Sequence, residues 1–126
     1  MFTRLMTASA LTLGLAAPAL AEGDPAAGEK VFNKCKACHM VGEGAKNRVG
    51  PVLNGVVGGP VAAVADFAYS DVFREKAAAG AVWTEEELAA FLASPRKYAK
   101  GTKMAFAGLR KDEEIADVIA YLATFE

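Results

Sequence analysis

Residues 35–39 read Cys-Lys-Ala-Cys-His, and this run holds both cysteines and the only histidine of the 126-residue chain. Two thiols separated by two residues, with an imidazole directly after them, have the spacing of a c-type haem attachment site. Each thiol can add to one haem vinyl group, and the two-residue gap matches the separation of the vinyls. The adjacent imidazole then lies under the iron, where it can bind axially. Three other chemistries use the same residue types. A thioredoxin-like C-x-x-C pair belongs in a βαβ unit, and no strand pattern is visible. A structural zinc site normally takes four Cys or His ligands, more than this chain owns. A disulfide across two residues would be strained and would close too small a loop to stabilise much. Haem attachment through Cys35 and Cys38, with His39 as an iron ligand, is the leading reading.

With the single histidine used, a sixth iron ligand must be Met, Lys, Tyr, water or nothing. Of the four methionines, Met1 and Met6 fall in a leader segment, and Met40 follows His39 too closely to reach the other haem face. Met104 remains, in the polar, glycine-bearing stretch Lys100-Gly101-Thr102-Lys103-Met104. Methionine is often core filler, but such a stretch is a poor place for filler. A thioether ligand there would raise the iron's potential relative to a nitrogen or water ligand. Two protein ligands would close the iron to substrate, which favours electron transfer over catalysis.

These residues need a scaffold. Arg4, the uncharged run that follows and Ala19-Leu20-Ala21 form the three parts of a secretory signal peptide. Residues 1–21 are therefore expected to be removed on export to the periplasm, leaving 22–126 as one domain of ordinary size. The uncharged stretch lies at the short limit for spanning a bilayer, so a retained anchor is the alternative. A net charge of −1 and 23% charged residues with 53% hydrophobic ones exclude a disordered chain. They also offer no basic field for nucleic acid.

Asp24-Pro25 opens a helix that should run through Val31 and Phe32 towards Cys35. Residues 41–66 are broken up by glycine and proline and keep no helical or strand period, so they read as a long ordered loop. Loops of that length are uncommon in small domains, and something large should sit beneath this one. Ser70 can cap a helix ending at Gly80. Thr84 with Glu87 forms a capping box for a helix through Leu88, Phe91 and Leu92 that stops before Pro95. Asp112 is placed to cap a last helix with Ile115, Val118, Ile119 and Leu122 on one face. The expected fold is all-α, with four to five short helices and long loops around one covalently bound haem. Helices this short need tertiary packing, and a buried prosthetic group would supply the apolar centre.

From Gly23 to Leu122 the chain resembles the class I cytochromes c, close to the mitochondrial type and its soluble bacterial relatives. The resemblance implies that Gly28 and Phe32 cross the last helix near Tyr121. It implies that the Pro51 carbonyl accepts a hydrogen bond from His39, and that Tyr69 and Trp83 hydrogen-bond one haem propionate while Thr102 contacts the other. Residues 98–104 match the methionine loop. Three positions depart from the mitochondrial pattern: Phe91 replaces a frequent tyrosine, Phe73 an asparagine and Gly59 an arginine near a propionate.

Lys34, Lys36, Lys46, Arg48, Lys97, Lys100 and Lys103 flank the two ligand segments, while acids gather at 85–87 and 112–114. This distribution suggests a basic ring that steers encounter with acidic partners, set against the alternative of ordinary solvated lysines. The function expected is that of a monomeric periplasmic shuttle between membrane redox complexes, from a cytochrome bc complex to a terminal oxidase or photosynthetic reaction centre. A dedicated acceptor or donor of a periplasmic dehydrogenase or peroxidase is the nearest rival. A haem enzyme or gas sensor with an open iron is a further one, and a haem-free thiol redox protein the most distant.

Overall fold

A computed structural model describes residues 23–126, so the expected export signal in residues 1–21 lies outside the described residues. The described chain folds into α1 (Pro25–Phe32), α2 (Asp71–Ala78), α3 (Glu85–Ala93), α4 (Pro95–Tyr98) and α5 (Asp112–Leu122). The only β pairing among these residues is an isolated bridge between Pro60 and Val82.

Two helices from the ends of the domain cross to form its base. Asp24 caps α1 by accepting from the Ala26 N–H at 2.9 Å, with Pro25 at the first helical position. The Asp24 N–H in turn donates to Asp117 Oδ1 at 2.8 Å, tying the start of α1 to α5. At the crossing, a Cβ on Gly28 would stand 1.9 Å from the Asp117 carbonyl oxygen, so only glycine lets the two backbones approach. One turn on, Phe32 is buried at 1% exposure. Its ring packs 5.5 Å from that of Tyr121. From α5, Ile115, Val118, Ile119 and Leu122 point into the core, the face expected from their spacing.

Some local expectations need correction. Asp112 does not cap α5: Lys111 occupies the cap position without a side-chain bond, and Asp112 is the first helical residue, where its charge suits the helix dipole. Ser70 stands at the cap of α2, but its side chain makes no capping bond, and the residue is buried at 6% exposure. Thr84 Oγ1 caps α3 by accepting from the Glu87 N–H at 3.1 Å. Glu87 does not complete the box, because its carboxylate accepts from the Tyr98 hydroxyl. Proline 95 ends α3 by pushing Ser94 into an extended conformation, and then opens the short α4, which the sequence pattern does not announce.

The long stretch after α1 is ordered by turns and by bonds to distant segments, as a loop and not a strand pair. Gly50 N–H donates to the Cys38 carbonyl, Gly58 N–H to that of Trp83, and Val61 N–H to that of Ala81. Asn54 clasps Gly42 through both its amide oxygen and its amide nitrogen. These bonds wrap the loop round one large cavity.

Candidate functional site

The cavity measures about 500 Å³, and its walls draw on α1, the long loop after it, α2, α3, the methionine segment and α5, but not on α4. Close-packed interiors hold few voids larger than a water molecule. The lining is therefore shaped for a large apolar occupant. Phe32, Val118 and Leu122 come from the α1–α5 base, and Phe73, Trp83 and Phe91 from the α2–α3 side.

Cys35, Cys38 and His39 all line this cavity. Successive turns after α1 present them: Cys35 N–H bonds the Phe32 carbonyl, and both Cys38 and His39 N–H bond that of Cys35. Burial pushes the Cys35 thiol up, outweighing the opposing pull of the Lys34 charge, with Cys38 adding a smaller upward push. Among the described residues no group of three His, Cys, Asp or Glu side chains is arranged to hold a metal ion by itself.

His39 is fixed on two sides. Its Nδ1 lies 2.7 Å from the Pro51 carbonyl oxygen. A carbonyl can only accept, so Nδ1 carries the proton and Nε2 keeps its lone pair for a metal. Burial pushes the imidazole's pKa down, opposed by the Pro51 bond, and the neutral, ligating form results. A Cβ on Gly50 would stand 2.3 Å from His39 Cε1; the ring occupies the space a side chain would need.

Met104 lines the same cavity, as do Thr102, Tyr69 and Trp83. Thr102 Oγ1 accepts from the Met104 N–H at 3.2 Å, and Tyr69 Oη accepts from the Val64 N–H at 3.0 Å. Each hydroxyl thus keeps its proton to donate, and the Trp83 indole can only donate. Burial holds Tyr69 above the usual tyrosine range, helped by Asp66 and opposed by the Val64 bond, so it stays a donor. These donors in a mostly apolar cavity suit an apolar group bearing carboxylates. The residues present fit a haem with its two propionates.

The family model for cytochrome c matches residues 25–126. The chain belongs to the cytochrome c family. It is 54% identical over 101 residues to cytochrome c-550 of Ancylobacter novellus, covering 80% of this chain and 94% of the relative. It is 50% identical over 101 residues to a cytochrome c2 of Agrobacterium tumefaciens (strain II Chrys), covering 80% and 91%. Among solved structures, cytochrome c2 from Rhodospirillum centenum superposes with a TM-score of 0.76 at 44% identity, covering 82% of this chain and 98% of that one. Cytochrome cH from Methylobacterium extorquens gives 0.73 at 46%, covering 81% and 99%. The all-α class I fold is thereby shown. The two cysteines at C-x-x-C-H spacing mean that this cytochrome carries one covalently bound haem c, and it is a mono-haem electron carrier.

The structure bears on all three departures from the mitochondrial pattern. A Cβ on Gly59 would meet the Gly55 carbonyl oxygen at 2.3 Å, so this cytochrome has no room for an arginine there. Phe73 and Phe91 stand edge to face at 5.5 Å, each 8% exposed, and place two apolar rings on the cavity wall where polar side chains are frequent.

The lysines expected to dock a partner, Lys34, Lys36, Lys46, Lys97, Lys100 and Lys103, are all exposed. They are not equivalent. Lys34 and Lys103 line the cavity, but Lys34 is paired with Glu114 at 3.3 Å, an acid that sequence reasoning assigned only to a helix end. Val49 also lines the cavity, at 78% exposure, an apolar side chain at its mouth. Neither Val49 nor the role of Gly50 was singled out from the sequence, although Gly50 directly precedes Pro51.

Proposed function

We propose that this cytochrome is a periplasmic one-electron shuttle, working between a cytochrome bc complex and a terminal oxidase or photosynthetic reaction centre. The observation that carries the reading is that His39 and Met104, the one imidazole and the one thioether suited to the iron, line the same cavity. When bound, the haem supplies reversible one-electron exchange between ferrous and ferric iron. Cys35 and Cys38 hold it by thioether bonds, which retain it outside the cytoplasm. His39, oriented by Pro51, would hold the iron through Nε2, and Met104 would hold it through its sulfur. With both filled by protein, nothing is left for a substrate, and the protein is a carrier and not an enzyme.

The surrounding residues set the terms of that exchange. Tyr69, Trp83 and Thr102 would donate to the propionates. Phe73, Phe91 and Phe106 exclude water from the cavity, and a dry, low-dielectric setting penalises the extra charge of ferric iron. Around the mouth, Lys36, Lys46, Lys97, Lys100 and Lys103 attract an acidic partner, while Val49 gives the encounter a small apolar centre. Interfaces of this redox type are small, under ~1,200 Å², and release quickly. The expected leader in residues 1–21 supports export. No helix among the described residues is long and apolar enough to cross a membrane.

Carbon monoxide tests the central step. The reduced protein at neutral pH is expected not to bind it, and binding would transfer the protein to the open-iron class. Association with an acidic redox partner is expected to slow as salt rises; a salt-independent rate would remove the role given to the lysines.

A further inference from the structure

The segment carrying Met104 has few tethers of its own. Residues 103–108 make no backbone–backbone hydrogen bond, and the Met104 N–H is held only by the Thr102 side chain. The position of the thioether therefore depends on the two ends of the segment. At the far end the Leu109 N–H donates to the Leu92 carbonyl at 2.8 Å, and Leu109 is buried. At the near end a relay runs from α4: Ala99 N–H to Pro95 O at 2.9 Å, then Thr102 N–H to Ala99 O at 2.9 Å. That end is only as firm as α4, and α4 is a single turn of four residues, too short to hold itself.

Tyr98, the last residue of α4, is gripped from three directions. Its hydroxyl donates to the Glu87 carboxylate on α3. The Lys76 ammonium, from α2, stands 4.7 Å above the ring centroid. The ring itself packs at 5.9 Å from Trp83 and 5.7 Å from Phe91. None of Tyr98, Glu87 and Lys76 lines the cavity, so whatever they do for the iron they do through other residues.

We propose that Tyr98 is a positioning residue for the iron's thioether: clasped by Glu87 and Lys76, it fixes where residues 99–104 leave α4 and so where Met104 stands in the cavity. The inference rests on the reading of Met104 as the axial ligand. The clasp competes against any free ligand that could displace the thioether, so loosening it should ease displacement without touching the haem pocket.

The test is an optical titration of the oxidised holoprotein with imidazole, in wild type, Tyr98→Phe, Glu87→Ala and Glu87→Gln, with thermal melts alongside. Tyr98→Phe keeps the ring packing and loses only the hydroxyl. It and Glu87→Ala are expected to bind imidazole roughly tenfold more tightly, the order of one hydrogen bond to a charged group. Glu87→Gln retains an acceptor oxygen and is expected to stay within about threefold of wild type. A lower melting temperature in Tyr98→Phe with unchanged imidazole affinity would reduce Tyr98 to a purely structural role and overturn the proposal. A wild-type spectrum with no Met–iron charge-transfer band would instead overturn the ligand reading and the clasp together.

Discussion

The two segments proposed to ligate the iron of this cytochrome are built in opposite ways. The cysteine–histidine segment is held at nearly every residue. Its turns bond to the end of α1, Gly50 closes against the His39 ring, and Pro51 holds Nδ1. The methionine segment spans residues 103–108 without a backbone–backbone bond and is located by what happens at Tyr98 and Leu109. One ligand is placed by short-range contacts within a dozen residues, the other by side chains that three helices bring together. The lesson is that a tight local motif secures the cofactor, while a suspended loop sets the finer properties of the iron. The first half should fail all at once when disturbed, and the second by degrees.

The largest effect is expected at the rigid half. In Gly50→Ala the new methyl group must displace the His39 ring, at a cost of about 3 kcal/mol of stability. Denaturant unfolding of the holoprotein would show it as a lower midpoint at unchanged slope. Met104→Ala is expected to cost less, about 2 kcal/mol for a partly buried side chain, yet to abolish the Met–iron band and make the reduced protein bind carbon monoxide. If the two variants lost equal stability, the contrast between the halves would fall.

The Tyr98 clasp makes a pH prediction with a definite sign. Burial and the bond to Glu87 push the Tyr98 hydroxyl up to about 12 from an ordinary value of 10.0. Below 10 the phenol is protonated whether folded or not, and its contribution is fully present. Above that the unfolded chain gives up the proton first, so stability falls as pH rises towards 12. Unfolding measured across this window should be steeper in wild type than in Tyr98→Phe, and equal slopes would deny Tyr98 the grip assigned to it. The smallest effect is expected at Ala62, which adopts φ +57 on the cavity wall. Ala62→Gly relieves a left-handed conformation and should raise the melting temperature slightly, with a gain of about 0.5–1 kcal/mol.

The same contrast explains what could be read from the sequence. Cys35, Cys38 and His39 announce themselves because attachment chemistry demands types and spacing within five residues. Asp24-Pro25, Thr84 and the 115–122 period are equally local, and each forms the element expected of it. Asp112 was displaced by one position, an error of the size that helix ends commonly carry. What escaped depends on residues far apart in the chain. Glu87 looks like half of a capping box until Tyr98 folds over to claim it. Lys34 looks like a docking charge until α5 brings Glu114 alongside. The glycine at 59 cannot be read as a close approach until the Gly55 carbonyl is known to stand against it. Met104 can be singled out because the other three methionines can be eliminated; the contacts of Tyr98 with Glu87 and Lys76 cannot be read that way.

The optical spectrum of the purified oxidised holoprotein at neutral pH tests the account most directly. Axial ligation by His39 and Met104 requires a low-spin spectrum with the Met–iron charge-transfer band, and that band must vanish in Met104→Ala. A high-spin spectrum, or a band that survives the substitution, would contradict the assignment of Met104 and reopen the iron to catalysis or sensing.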